Sequence, residues 1–461
     1  MGSPAQKKCF AKLTKEYGVL ATRVAELRHQ LTEAERAVSN NEAEMARYAP
    51  VYTLPNDVLK LVLEELYAHK FDDQDLCCTT PHHDPLPITH VSRRWRAVAL
   101  SLPTIWRCIH LNSPRQLVQL WVERSTRLPI RVICVFCEME QDGEWALNYS
   151  RIRAILEHAP RLQHFGLSTD EPEFVCGVCE LLQKQDLPAL LTLALRYEAC
   201  FIFGRGLMAG VRLPTCPNLK SLTLAAIPCH SSLVSCPLLR SEALQLDGCG
   251  YLNSSLLNTI SKVAPALVEL TLKGCCQFRR SAPSPAMLPN PRTLVLAGVL
   301  DYWSFCRFIG LSALQFLVLR NVELWPLMPV PIPLSELPGV KQLVLHCCRV
   351  PWTRRFTEVA QLFWCTPAAT ILSLHNTRGS DVILRGLADD DAAQMLPLLE
   401  CLELTVLAGE EGSYSELLHF LEKRKSFGRP LKEVHVGQGL QEGMGDGLLR
   451  SLGGFVEVSV L

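Results

Sequence analysis

The residues best able to do chemistry in this chain are its cysteines and histidines, 20 and 13 among 461 residues. Two local groupings have the look of metal ligands. Cys176-x-x-Cys179 is a single pair, whereas a structural zinc site wants two such pairs at suitable separation, and none follows. Val175, Val178 and Leu182 share helical spacing with it, which predicts thiols packed in a core. Cys77, Cys78, His82 and His83 crowd one polar stretch, where adjacent ligands diverge from any common centre, so no metal is expected. Cys216 and Cys236 precede a proline where other copies of the same motif have Ala159, Leu187, Ala264, Leu337 or Leu396, so cysteine there acts as a small apolar residue. A phosphate-cradling Gly-rich loop with Lys, a G-x-S-x-G elbow and an H-E-x-x-H helix do not occur. The Gly-rich runs at 409–412 and 437–447 are acidic or lack a strand–Gly–helix order. The expectation is therefore a non-enzyme without cofactor, metal or catalytic residue. An enzyme working through one unusually reactive thiol is the rival of a different class.

Composition narrows the partners. Lys plus Arg and Asp plus Glu each number 46, which removes the clustered positive charge that nucleic acid or an anionic membrane would require. No stretch approaches the ~18 apolar residues of a membrane span. The opening MGSPAQKKCF has no apolar signal-peptide core, and Gln6 stands where a myristoylation motif needs Ser or Thr. Many cysteines without a secretion signal imply free thiols in a reducing compartment, so cytoplasm or nucleus is expected.

The elements that must position any functional residue fall into three segments. In residues 1–49 the apolar series Phe10, Leu13, Tyr17, Leu20, Val24, Leu27, Leu31, Ala34, Val38 steps three and four, a heptad seam that predicts a coiled-coil helix. Asn41 ends the clean seam. Self-association or pairing with another coiled coil is one reading; a single amphipathic helix lying on the rest of the molecule is the other.

Residues 50–111 read as a small helical domain. Pro55 and Asp57 suit the first turn of a helix, whose face carries Val58, Leu59, Val62, Leu63 and Leu66. Ile88, Val91, Trp95, Val98 and Leu102 continue at helical spacing through a second helix flanked by Arg93, Arg94 and Arg96, and Pro103 stops it. Ile105 and Trp106 form a short third turn. Leu54-Pro55-x-Asp57-Val58-Leu59, Val91-Ser92-Arg93-Arg94-Trp95-Arg96 and Leu102-Pro103-x-Ile105-Trp106 together resemble an F-box, in the form common among fungal F-box proteins. Ser92 stands where that family often has Cys, and 71–87 is a longer, more proline-rich link than usual. The resemblance implies that Leu54, Pro55, Val58, Leu59, Val62, Ile88, Val91 and Trp95 pack against the small adaptor that joins F-box proteins to a cullin, some of them also forming the local core.

Residues 112–461 repeat one motif: Pro, any residue, apolar, two variable residues, Leu, any residue, Leu. It recurs from Pro160-x-Leu162-xx-Phe165-x-Leu167 through Leu402 and Leu404, with weaker copies at Val434/Val436 and Val458/Val460. Leu-x-Leu has period two, so both leucines share one side of a strand. Helical patterns precede several copies, including Ile152–Leu156, Leu256–Val263, Val359–Phe363 and Leu417–Leu421. One strand and one helix cannot bury an apolar face alone, so the units must stack. The array is similar to an irregular leucine-rich-repeat solenoid, α/β in class, with parallel strands inside and helices outside. It lacks the family's regular Asn; Gly248, Cys249, Gly274 and Cys275 follow strands instead. Residues 127–136 read as its first strand, after a helix at 116–124.

Residues between the leucines would face the concave side: His164, Arg196, Thr223, Thr271, Lys273, Arg320, His346, His375, Glu403 and His435. Of these Arg196, Lys273, Arg320, His346, His375 and Glu403 are the candidate contacts for a protein target. F-box plus repeats implies the substrate-recognition subunit of an SCF (cullin-type) ubiquitin ligase. A non-catalytic scaffold dimerised by its coiled coil is the rival.

Overall fold

The computed structural model describes residues 4–48, 54–68, 85–136, 144–198, 211–227, 233, 238, 240–248, 251–274, 277–279, 286–299, 309–324, 337–350, 356–389, 394–405, 413–437 and 451–460. The chain divides into two compact units, 1–74 with 80–106 and 75–79 with 107–461.

In the first unit α1 runs Pro4–Tyr48. Its seam residues Tyr17, Leu20, Val24, Leu27, Leu31 and Val38 are all exposed, at 47–75%. The side chains of Phe10 and Leu13 lie outside the described residues. Pairs such as Arg23 with Glu26 at 2.8 Å support the helix locally, each by a few tenths of a kcal/mol.

Helix α2 spans Asn56–Ala68, with Asp57 in its first turn. The single second helix expected from 88 to 102 is broken. Leu86–Thr89 makes one turn, α3, and α4 begins afresh at Arg93 and runs to Leu100. Ser92 causes the break. Its backbone is extended, and its Oγ accepts from the Trp95 N–H at 3.2 Å, the N-cap arrangement that satisfies an orphan donor. Leu59, Leu63, Tyr67, Ile88, Val98, Ala99, Leu102, Ile105 and Trp106 form the core of this unit. Trp106 closes it from the 3₁₀ turn Pro103–Trp106, donating its Nε1–H to the Ala99 carbonyl at 2.9 Å.

The second unit is α/β and built on one 14-stranded sheet, wholly parallel, in which strands follow one another in sequence order. They are β1 Cys108–His110, β2 Ile130–Phe136, β3 Leu162–Thr169, β4 Thr192–Tyr197, β5 Ser221–Ala225, β6 Ala243–Asp247, β7 Glu269–Lys273, β8 Thr293–Ala297, β9 Phe316–Arg320, β10 Gln342–His346, β11 Ile371–His375, β12 Cys401–Leu404, β13 Glu433–Val436 and β14 Glu457–Val460. The segment 127–136 is thus not the first strand. β1 precedes it, too short for periodicity to announce. Between strands lie α5 Arg115–Arg124, α6 Glu144–Leu156, α7 Pro172–Gln183, α8 Ser254–Val263, α9 Thr357–Trp364, α10 Ser380–Ala388 and α11 Ser413–Ser426.

The paired leucines stay in register from strand to strand. Leu270, Leu294, Leu317, Leu343, Leu372 and Leu402 form one row, and Leu272, Leu296, Leu319, Leu345, Leu374 and Leu404 the next. Every one is fully buried, and at about 25 cal/mol per Å² of apolar area this double row stabilises the unit. Just past the strands the chain turns through a left-handed residue: Ala226, Gly248, Gly274, Gly298, Asn321, Cys347 and Asn376 all have φ between 48° and 59°. The N–H of most of these donates to the last strand carbonyl of the next repeat, as from Gly274 to Ala297 at 2.8 Å and from Cys347 to His375 at 2.7 Å. Glycine and asparagine tolerate that conformation best. Gly248 and Gly274 therefore serve the turn, while Cys249 and Cys275 lie outside the described residues. A second ladder lies one step on, where Cys348 Sγ donates to the Leu319 carbonyl at 3.2 Å and Thr377 Oγ1 to the Leu345 carbonyl at 2.8 Å.

Among the described residues no helix is long and apolar enough to cross a membrane.

Candidate functional site

Two surfaces present candidate residues. The first belongs to the helical unit. The α2 face splits between inside and outside: Leu59 and Leu63 are fully buried, while Val58, Val62 and Leu66 are 39–45% exposed. Ile88 is buried with the core and Val91 is exposed. Pro55 is exposed, and Leu54 and Trp95 are half-buried. Of the residues assigned from the sequence to an adaptor, Leu59 and Ile88 thus hold the local core. Pro55, Val58, Val62 and Val91 remain open to solvent. Leu61 and Leu100 add exposed apolar area that the sequence reading did not name.

The arginines of the second helix fix this surface rather than line it. Arg94 donates through Nε to Asn56 Oδ1 at 2.8 Å and through Nη2 to the Leu54 carbonyl. Arg96 Nε donates to the Thr89 carbonyl at 2.8 Å. Together they tie the start of α2 and the end of α3 to α4.

The second surface is the sheet face that carries residues between the leucines. Arg320, His346 and His375 sit side by side on successive strands, with the two imidazoles 6.2 Å apart between centroids. His375 Nε2 lies 3.8 Å from Glu403 Oε2, and Glu403 also accepts from Ser373 Oγ at 2.6 Å. The structure therefore joins Arg320, His346, His375 and Glu403 into one patch. Lys273 stands two strands away from Arg320, with Ala297 between them in register. Arg196 is three strands further, beyond Ala225 and Asp247, roughly 14 Å from Lys273 at ~4.8 Å per strand. Arg196 does not share the patch; its Nε is enclosed with no hydrogen-bond partner among the described residues.

Phe316, Val318 and Val344 occupy the same face, Phe316 at 39% exposure. Beyond Glu403 come Cys401, Glu433 and His435, with His435 Nε2 3.0 Å from Glu433 Oε2. The sequence reading passed over Cys401 and Glu433. Their signal was the alternation itself, C-x-E in one repeat and E-x-H in the next, which places all four side chains on one face.

Electrostatics follow burial. His346 is held below the usual histidine range by burial, then by Arg320 and His375. His164 is lowered to about 4 by burial, with Arg131 and Arg107 adding to it. Burial and the carboxylates of Glu403 and Glu433 push the Cys401 thiol up to about 11. Cys179 and Cys348, both buried, are pushed up to about 12 by desolvation. Such thiols are inert packing groups. Cys176 is half-buried, so the C-x-x-C pair is split between core and surface of α7. Cys77, Cys78, His82 and His83 lie outside the described residues.

No family model matches this chain, and no curated protein sequence matches it.

Proposed function

We propose that this chain is the substrate-recognition subunit of a cullin-type ubiquitin ligase, with residues 50–111 as an F-box and the array as an irregular leucine-rich-repeat domain. One observation carries the reading. Pro55, Val58, Val62 and Val91 leave an apolar face open on a helical unit whose core is already closed by Leu59, Leu63, Ile88 and Trp106. A face of that kind on so small a unit fits burial by a partner subunit. The open face of the sheet, with an apolar centre at Phe316, Val318 and Val344 beside the Arg320–Glu403 patch, suits a folded or peptide client read by shape and scattered polar contacts. The chain itself performs no bond chemistry in this scheme. It raises the effective concentration of client at the ligase.

The test is co-purification of the intact chain with the adaptor. Val58→Asp with Val62→Asp alters exposed positions only, so the protein stays folded and the adaptor is lost by at least ~100-fold. Retention of the adaptor at undiminished affinity would refute the assignment.

A second reading, compatible with the first, concerns α1. We infer that its exposed seam pairs with a second copy, antiparallel. In a parallel in-register pair Arg23 meets Arg28 of the other copy on both flanks, Tyr17 stacks on Tyr17 and Ala34 leaves a hole against Ala34. Antiparallel pairing about the middle of the helix sets Tyr17 against Ala34, Leu20 against Leu31 and Val24 against Leu27. Arg23 then faces Gln30 and Arg28 faces Ala21. The largest seam residue, Tyr17, then meets the smallest, Ala34, and no like charges oppose. This register also overlaps nearly the whole of Pro4–Tyr48.

A further inference from the structure

The last strands of the sheet carry a grouping that neither the helical surface nor the apolar centre uses. Cys401 and Glu403 on β12 lie in register with Glu433 and His435 on β13. Residues two apart on a strand share a face, so these four form a square on the open side. Cys401 Sγ, a carboxylate oxygen of Glu403 and a ring nitrogen of His435 all lie within 4.8 Å of one another. We propose that Cys401, Glu403 and His435 bind one divalent transition-metal ion of the zinc class.

The donor set selects the ion. A sulfur and an imidazole nitrogen disfavour calcium and magnesium, which want oxygen alone, and they suit zinc or its cobalt surrogate. Zinc holds such donors at ~2.0–2.3 Å, which sets ligand atoms roughly 3.5 Å apart. The present separations of at most 4.8 Å lie close to that value, on two strands whose register is fixed.

The surroundings also match what metal ligands need. Glu433 Oε2 stands 3.0 Å from His435 Nε2, and a carboxylate beside a ligating histidine orients its ring and raises its basicity. Ser373 Oγ donates to Glu403 Oε2 at 2.6 Å, and His375 Nε2 lies 3.8 Å from the same oxygen. Residues Ser373 and His375 of β11 thus flank the Glu403 carboxylate. Half-buried Cys401 would ligate as the thiolate, the form that a dication at the centre stabilises. Three protein donors leave a fourth position for water or an incoming side chain. None of this depends on the ligase reading, since these residues lie far along the chain from the helical surface.

The test uses the full-length chain, stripped with chelator and titrated with Co²⁺. The expected result is one equivalent per chain with a thiolate-to-cobalt charge-transfer band, displaced by Zn²⁺, and a Zn²⁺-dependent rise in melting temperature. Cys401→Ser should abolish the band. Glu403→Gln and His435→Gln should each weaken binding at least 10-fold, and Glu433→Gln ~10–100-fold. Cys77→Ser with Cys78→Ser should leave the band intact. Failure of the intact chain to bind micromolar Co²⁺ overturns the proposal, as does a band that survives Cys401→Ser or vanishes in the Cys77/Cys78 variant. Should Cys401→Ser misfold by circular dichroism, unchanged Co²⁺ affinity in both Glu403→Gln and His435→Gln overturns it equally.

Discussion

Arg94 Nε donates to Asn56 Oδ1 at 2.8 Å, joining side chains 38 positions apart in sequence. The same guanidinium reaches the Leu54 carbonyl, so one side chain ties down both Leu54 and Asn56 where α2 opens. The spacing of Leu54-Pro55 and Arg93-Arg94-Trp95 therefore has a mechanical reason. The arginine of the second motif holds the first in place.

Arg94→Lys tests this. A lysine has one donor head and cannot serve two acceptors in a fixed fork. A loss of about 1–2 kcal/mol of stability in the helical unit is expected, together with weaker adaptor binding. Unchanged denaturant midpoint and unchanged adaptor capture would show that the fork is incidental.

The left-handed residue after the strands gives a second prediction. A Cβ on Gly298 would have only the Gly274 nitrogen nearby, at 3.9 Å, so Gly298→Ala probes backbone conformation free of steric clash. The variant should be less stable by about 1 kcal/mol, read from urea unfolding at constant slope. Cys347, at φ 52°, predicts the opposite sign, with Cys347→Gly neutral or slightly stabilising. Equal effects at the two sites would mean that the turn does not impose its conformation.

A third prediction concerns acid. His164 is lowered from 6.5 to about 4 in the folded chain. The unfolded chain therefore takes up this proton first as pH falls. Stability is fully present above about 6.5 and is lost progressively down to about 4, by at most ~3 kcal/mol, less where water screens the ring. His164→Gln should flatten the stability profile across that window, since carboxylates contribute alike to both proteins. Superimposable profiles for the two would sink the claim.

The fourth prediction fixes the sense of α1 pairing. Sedimentation should show a dimer that Val24→Asp with Leu27→Asp converts to monomer. A photo-crosslinking residue at position 34, in one of two isotopically distinguished copies, should capture the peptide containing Tyr17 of the other. Capture of the Ala34 region instead would establish a parallel pair.

The repeat array was legible because its signal is redundant. Each Leu-x-Leu pair states the same fact, and period two can only mean a shared strand face. The helical unit was legible in part. Apolar spacing from Ile88 to Leu102 is continuous, so periodicity joined α3 and α4. Only Ser92 breaks them, through a local hydrogen bond that competes with the helix and leaves no trace in hydrophobic pattern. β1 escaped for a related reason, since three residues hold too little alternation to register.

Sequence alone determined which strand leucines face inward, because the two-residue strand period is a property of the backbone itself. It did not determine which neighbours those residues meet. Leu59 and Val58 are adjacent and equally apolar, yet one is sealed and the other open, a distinction set by where α4 packs. Likewise Cys401 and His435 are more than thirty positions apart, and only the parallel register of β12 and β13 brings thiol, carboxylate and imidazole to one point. Proximity of that kind is a product of tertiary packing, which no local pattern encodes.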